Sequence, residues 1–134
     1  MIEQCPSVPT PSGLMETFVC HPERPGPHPV VLFLMDAPGI REELRDMARR
    51  IATVGYCVLL PNLYYRAGVM DLGPSPRNVD DPRIPRLVAL MNDLSVETVM
   101  TDVKALLSYI DSYSPARRSA RSLISAHWFA VSRP

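Results

Sequence analysis

A chain of 134 residues with 14 basic and 14 acidic side chains has no net charge, so no overall field draws it to nucleic acid or to an anionic membrane. That length suits one domain able to bury a core of its own, and no stretch approaches the ~20 apolar residues of a membrane-spanning helix. Cys5, Cys20 and Cys57 are odd in number and widely spaced, which argues against a disulfide framework or a zinc site and suits a reducing cytoplasm.

The chain begins with a Pro/Ser/Thr-rich lead, residues 1–13, that lacks the basic start and apolar run of a signal peptide. Its 15 prolines, about twice the usual frequency, gather in 5–11, 22–29 and 74–85 and mark those segments as connections. After the turn dipeptide Ser12-Gly13, Leu14–Cys20 mixes Thr, Phe and Val in loose alternation and reads as an outer strand. His21 and His28 fall in the proline-rich loop that follows and read as solvated histidines, not metal ligands.

Val30–Met35 is different: six apolar residues without alternation, the mark of a strand buried on both faces. It stops at Asp36-Ala37-Pro38-Gly39, where Pro38 has no N–H for a ladder and Gly39 permits a turn. Ile40, Leu44, Met47, Ala48 and Ile51 then form one helical stripe, with Glu42 and Glu43 in the first turn, Arg49 and Arg50 near the end and Gly55 beyond it as the C′ residue. Tyr56–Leu60 is a second non-alternating strand, so 30–60 is a βαβ unit, and Asp36 and Arg66 both fall at the carboxyl edge of its sheet, where open α/β sheets put their sites.

From Ala67 to Pro85 runs a connection rich in Gly, Pro and Asp, long enough to be a functional cover. A short helix is expected near Arg86–Asn92. A longer one starts at Ser95 as N-cap and carries Val96, Val99, Met100, Val103, Leu106, Leu107 and Ile110 at helical spacing. Met70, Met91 and Met100 read as core or gap filler.

The run Pro29–Ile40, the Arg-rich helix after it and Gly55-Tyr56 followed by Pro61-Asn62-Leu63-Tyr64-Tyr65-Arg66 together resemble the dienelactone hydrolase family, α/β-hydrolases that open lactones or esters. The likeness covers about 12–113 and implies a partial α/β-hydrolase fold, a short mainly parallel sheet with helices on both faces. It implies that Asp36, one methylene shorter than the family's Glu, contacts the nucleophile at rest, that the Ala37 backbone N–H serves the oxyanion hole, and that Arg66 holds a substrate carboxylate. Read from the residues alone, Asp36 is more readily a helix N-terminal acid and Arg66 an ordinary surface guanidinium. Asn62 replaces the family's Asp, and Tyr64 and Tyr65 read as packing and edge hydrogen bonding. No cofactor and no metal is implied.

The resemblance breaks at the carboxyl end. A nucleophile elbow needs small residues around its Ser or Cys, yet no glycine follows Gly73. The segment 114–134 contains Arg117, Arg118, Arg121 and Arg133, no acid and no cysteine, and a single histidine, His127. It reads as an atypical basic tail after a family-like amino-terminal segment, residues 1–113, and is of the kind an alternative exon or a shifted reading frame produces. Trp128 and Phe129 among those arginines give only a weak nucleic-acid signal, and Ser125–Val131 is equally a short strand replacing the missing one.

The expectation is a truncated family member, inactive alone; the alternative is a non-catalytic protein that self-associates, or pairs with a full-length relative, through an unfinished sheet. A gene-model product without selected function is the third reading.

Overall fold

Six apolar residues in a row stay dry only in a strand with neighbours on both edges and cover over both faces, and Val30–Met35 has both. The computed structural model describes residues 1–69, 71–113, 115–117 and 123–125. In chain order these form β1 (Ile2–Gln4), β2 (Ser7–Thr10), β3 (Gly13–His21), β4 (His28–Leu34), α1 (Glu42–Thr53), β5 (Cys57–Pro61), a 3-10 turn at Tyr65–Ala67, α2 (Ile84–Asp93), α3 (Val96–Ser112), β6 (Ala116–Arg117) and β7 (Leu123–Ser125).

The sheet runs β1-β3-β5-β4-β6, with β2 also on β3 and β7 also on β4. It is mixed: β4 is parallel to β5, β6 and β7, whereas β3 is antiparallel to β5, β1 and β2. The parallel pair β4–β5, Val30 opposite Cys57 and Leu32 opposite Leu59, encloses α1 as the crossover of the expected βαβ unit. Helices lie over both faces, as the alternation along β3 reveals. Phe18 sits under the Arg49 guanidinium of α1, 5.5 Å from the ring centroid, while the odd-numbered His21 faces Tyr113 at the end of α3.

Four local expectations need correction. The lead is not mere connection, and Leu14–Cys20 is not an outer strand. β1 and β2 both add to β3, with Val8 fully buried, and Pro9 is tolerated because β2 pairs on one side only. His21 and His28 are buried, not solvated: they end β3 and begin β4, their rings stack at 5.7 Å between centroids, and the carbonyls of Pro22 and Arg24 meet one nitrogen of each. Met47 is half exposed, since α1 buries Leu44, Ala48 and Ala52 and leaves Met47 on the flank of that stripe. Val96 and Met100 are likewise exposed, whereas Met91 is half-buried.

Gly55 is the C′ residue its position implied: its φ is +111°, its N–H reaches the Ala52 carbonyl, and a β-carbon there would strike the Arg24 guanidinium. The α2 helix appears where the sequence put it, two residues longer at its start.

The α3 helix opens with a reciprocal cap. Ser95 Oγ accepts from the Thr98 N–H at 3.1 Å, and Thr98 Oγ1 accepts from the Ser95 N–H at 3.0 Å. Along its length it buries Asp102, Leu106 and Ile110 and lies on β2 and β6.

The tail joins the sheet. β6 pairs with His28 and Pro29 and β7 with Leu32–Leu34, so the edge of β4 that the sequence left bare is occupied. Of the replacement strand expected at 125–131, only Ser125 falls among the described residues, where it ends β7. His127, Trp128, Phe129, Arg118, Arg121 and Arg133 lie outside the described residues, as does Met70. Among the described residues no helix is long and apolar enough to cross a membrane.

The cap supplies a direct test of this packing. Ser95→Ala removes an acceptor from the first turn of α3 and is expected to cost about 1 kcal/mol in urea denaturation with an unchanged m value. A midpoint identical to that of the parent chain would show that the cap does not anchor the helix.

Candidate functional site

Because β4 and β5 are parallel, the loops that leave them emerge at one edge of the sheet, and this edge brings together Asp36, Ala37, Tyr64 and Arg66. The Gly39 N–H closes a turn on the Asp36 carbonyl at 3.0 Å. Gly39 has φ +81°, and a β-carbon there would press on the Tyr64 ring at 3.3 Å, so only glycine fits. Tyr64 fastens the two loops by donating its hydroxyl to the Ala37 carbonyl at 2.7 Å. With its carbonyl so held, Ala37 has an N–H that meets no acceptor among the described residues.

Asp36 is not alone. Arg41 grips it with Nη1 and Nη2, at 2.5 and 2.9 Å from Oδ1 and Oδ2, and also donates to the Gly39 carbonyl and to Glu43. Both side chains are nearly dry, and the hydrogen bonds that Arg41 donates to Asp36 raise the Arg41 pKa above its ordinary range. Arg41 therefore clamps the whole Asp36–Gly39 turn.

Arg66 stands in a second ion pair. Its Nη1 and Nη2 donate to the two oxygens of Asp102, each at 2.9 Å, and its guanidinium stacks 4.7 Å above the Tyr65 ring. Tyr65 donates to Asp102 at 2.8 Å, and the Thr10 hydroxyl lies 2.8 Å from the Tyr65 oxygen, so β2, the loop after β5 and α3 share one polar network. Asp102 is fully buried and Arg66 about a quarter exposed. Sequence reasoning missed both Arg41 and Asp102. For Asp102 a signal exists: it stands at Val99+3 and Leu106−4, inside the apolar stripe of α3, where an acid must find a partner.

Asn62 explains its own departure from the family's Asp. Its Nδ2 donates to the Val69 carbonyl at 2.5 Å and its Oδ1 accepts from the Tyr64 N–H at 3.1 Å. A carboxylate has no N–H for Val69. The connection after the 3-10 turn is gathered by Arg83, which donates to the carbonyls of Leu72 and Pro74 and pairs with Asp81. Leu72 of this connection packs beside Gly39.

A cavity of about 70 Å³ opens beside the rim among Ile40, Arg45, Asn62 and Asp71, well below the ~300 Å³ at which small-molecule pockets begin. A larger one of about 340 Å³ lies at the opposite edge, by His21 and His28, where the ring nitrogens already meet carbonyls. Among the described residues no three His, Cys, Asp or Glu side chains converge as a metal site.

Residues 15–120 match the profile of the dienelactone hydrolase family. A protein of Methylorubrum extorquens named "Putative carboxymethylenebutenolidase" is 34% identical over 121 residues, 90% of this chain and 39% of that protein. One of the same name from Escherichia coli K12 is 36% identical over 63 residues, 46% of this chain and 23% of that protein. The crystal structure of a "Putative Dienelactone Hydrolase" from Klebsiella pneumoniae superposes with a TM-score of 0.71 at 25% identity, over 92% of this chain and 48% of the other. The chain thus spans less than half the length of each of these relatives.

Two measurements probe the chemistry of the described side chains. Burial pushes the Cys20 and Cys57 thiols up to about 12, whereas Cys5 is exposed. Ellman's reagent at neutral pH is expected to label one thiol in the folded chain and all 3 cysteines in denaturant; two labelled without denaturant would refute the buried placement.

Burial, with the Asp36 charge adding to it, pushes Tyr64 up to about 12. The unfolded chain ionises this phenol near pH 10, so its stabilising contribution is whole below about pH 10 and is lost as pH rises through about 12. Tyr64→Phe is expected to lose less stability than the parent chain across that window, and equal losses would contradict the assignment.

Proposed function

The chain belongs to the dienelactone hydrolase family, and from that premise we propose that its Asp36–Ala37 rim is the acid and oxyanion side of a site that opens lactone or ester bonds. The observation that carries the reading is the Ala37 turn. Tyr64 and Gly39 fix the peptide on either side of Ala37, and the Ala37 N–H faces no acceptor among the described residues.

In hydrolysis through an acyl intermediate, the nucleophile adds to the carbonyl carbon and negative charge passes to the carbonyl oxygen. A fixed N–H aimed at that oxygen stabilises it without reorganisation, an effect of about 3 kcal/mol per donor in acyl-transfer enzymes. Asp36, held by Arg41, is the acid beside the nucleophile in this reading, and Arg66 is a rim cation whose charge Asp102 balances.

The nucleophile must come from elsewhere. The 6 glycines of the sequence, the last at Gly73, form no Gly-x-Ser-x-Gly or Gly-x-Cys-x-Gly elbow. Cys57 is buried in mid-strand with a raised pKa and does not qualify. We therefore infer that this polypeptide by itself does not turn over substrate. The interaction-protein alternative has less support, since among the described residues β6 and β7 pair with β4.

Assayed with p-nitrophenyl acetate and with γ-valerolactone, the isolated chain is expected to match buffer background. Loss of nucleophile and base together costs about 10⁶-fold in kcat where it has been dissected. Turnover that iodoacetamide or a serine-directed fluorophosphonate abolishes would overturn the inference.

A further inference from the structure

We propose that His21 and His28 form a site for a divalent transition metal of the kind imidazole prefers, zinc or copper, at the edge of the sheet opposite the Asp36 rim. The inference is independent of the lactone or ester reading, since it stands on residues that reading does not use.

The end of β3 and the start of β4 bring the two rings together, and burial leaves His21 only 5% and His28 only 3% exposed. Their hydrogen bonds set their tautomers. A carbonyl only accepts, so the nitrogen that meets it bears the proton: His21 Nδ1 donates to the Pro22 carbonyl at 2.9 Å and His28 Nε2 to the Arg24 carbonyl at 3.2 Å. In the neutral rings His21 Nε2 and His28 Nδ1 are then lone pairs, and neither has a partner among the described residues. An imidazole tied through its other nitrogen to a carbonyl, with tautomer and orientation settled in advance, is what metal-binding histidines present. The Tyr113 ring, edge to face with His21 at 6.3 Å, further limits how that ring can turn.

The spacing fits one shared ion. With a metal–nitrogen bond of about 2.1 Å and the ring centre about 1.1 Å behind the nitrogen, two imidazoles on a tetrahedral ion have centres about 5.2 Å apart, widening to about 6 Å as the angle at the metal opens. The His21 and His28 centroids are 5.7 Å apart. Both rings line the cavity of about 340 Å³ at this edge, which leaves room for water or a small ligand at the remaining positions of the ion. Glu23 lines it too, but its carboxylate is engaged by the Met1 ammonium at 2.9 Å, and among the described residues no third acid, cysteine or histidine completes a set. A pair of neutral imidazoles selects zinc or copper over magnesium or calcium, which prefer oxygen. The bound ion would clasp the end of β3 to the start of β4.

The test is a titration of the full chain with zinc chloride, by calorimetry and by the side-chain nitrogen signals of its histidines. A single ion is expected to bind with a micromolar Kd and to shift His21 Nε2 and His28 Nδ1, while His21 Nδ1 and His28 Nε2 keep their protons; magnesium chloride is expected to give neither heat nor shift. His21→Gln and His28→Gln are each expected to weaken zinc at least about tenfold, no less than the loss of an outer-shell partner costs. Cys5→Ser, which removes the exposed thiol, is expected to bind as the parent chain does.

No saturable uptake, a shift at only one of the two nitrogens, equal binding by His28→Gln, or loss of binding in Cys5→Ser overturns the inference and leaves the lactone reading where it was. Should a glutamine variant not fold, the nitrogen signals of the parent chain carry the test by themselves.

Discussion

A carboxylate without access to water has to be answered by a cation and by hydrogen bonds, and Asp102 imposes that demand in the middle of α3. Arg66 and Tyr65 meet it from the loop after β5, and Thr10 extends the network into β2. Three segments far apart in sequence are thereby fixed relative to one another. Apolar packing of Leu106 and Ile110 sets which face of α3 turns inward, but such contacts are not directional. The fork of Arg66 on Asp102 is, and it fixes how far along the helix axis α3 sits against the rim. Since Tyr64 precedes Tyr65 and holds the Ala37 carbonyl, the position of α3 reaches the Ala37 N–H through two residues of backbone.

The elements legible in the sequence are those whose signal is local. The non-alternating runs at Val30 and Val58 could only be interior strands, Gly55 could only end a helix, and Ser95 caps one as its side chain dictates. What was not legible depends on partners distant in the chain. β1 and β2 are short and largely polar, β2 with a proline, and they are strands because β3 offers its free edges, not because of their own preference. His21 and His28 look solvated among prolines until antiparallel β3 and parallel β4 bring the end of one beside the start of the other.

The candidate site divides in the same way. That Asp36 and Arg66 share an edge followed from the βαβ unit alone, which needs only strand order and direction. That each is locked in an ion pair did not, because Arg41 is five residues beyond Asp36 on a turn whose path no pattern specifies, and Asp102 is a helix away from Arg66. An acid inside an apolar stripe was the visible warning. It announces that a partner exists without saying which.

The departures of this rim from the family pattern share one physical direction. Asp36 is shorter than the family's Glu by one methylene, so its carboxylate stays close to the turn, within reach of the Arg41 that also holds Gly39. Asn62 stands in place of an acid and uses the amide hydrogen that an acid lacks to bind Val69. The first keeps its carboxylate and pairs it with Arg41, and the second replaces a charge with an amide that holds backbone. A site of free charges attracts an ionic ligand over a distance but must be desolvated to use it, whereas a site of fixed peptide dipoles exerts little long-range pull and acts at contact. The Asp36–Gly39 turn, held by Arg41 and Tyr64 and with Leu72 packed beside it, is of the second kind.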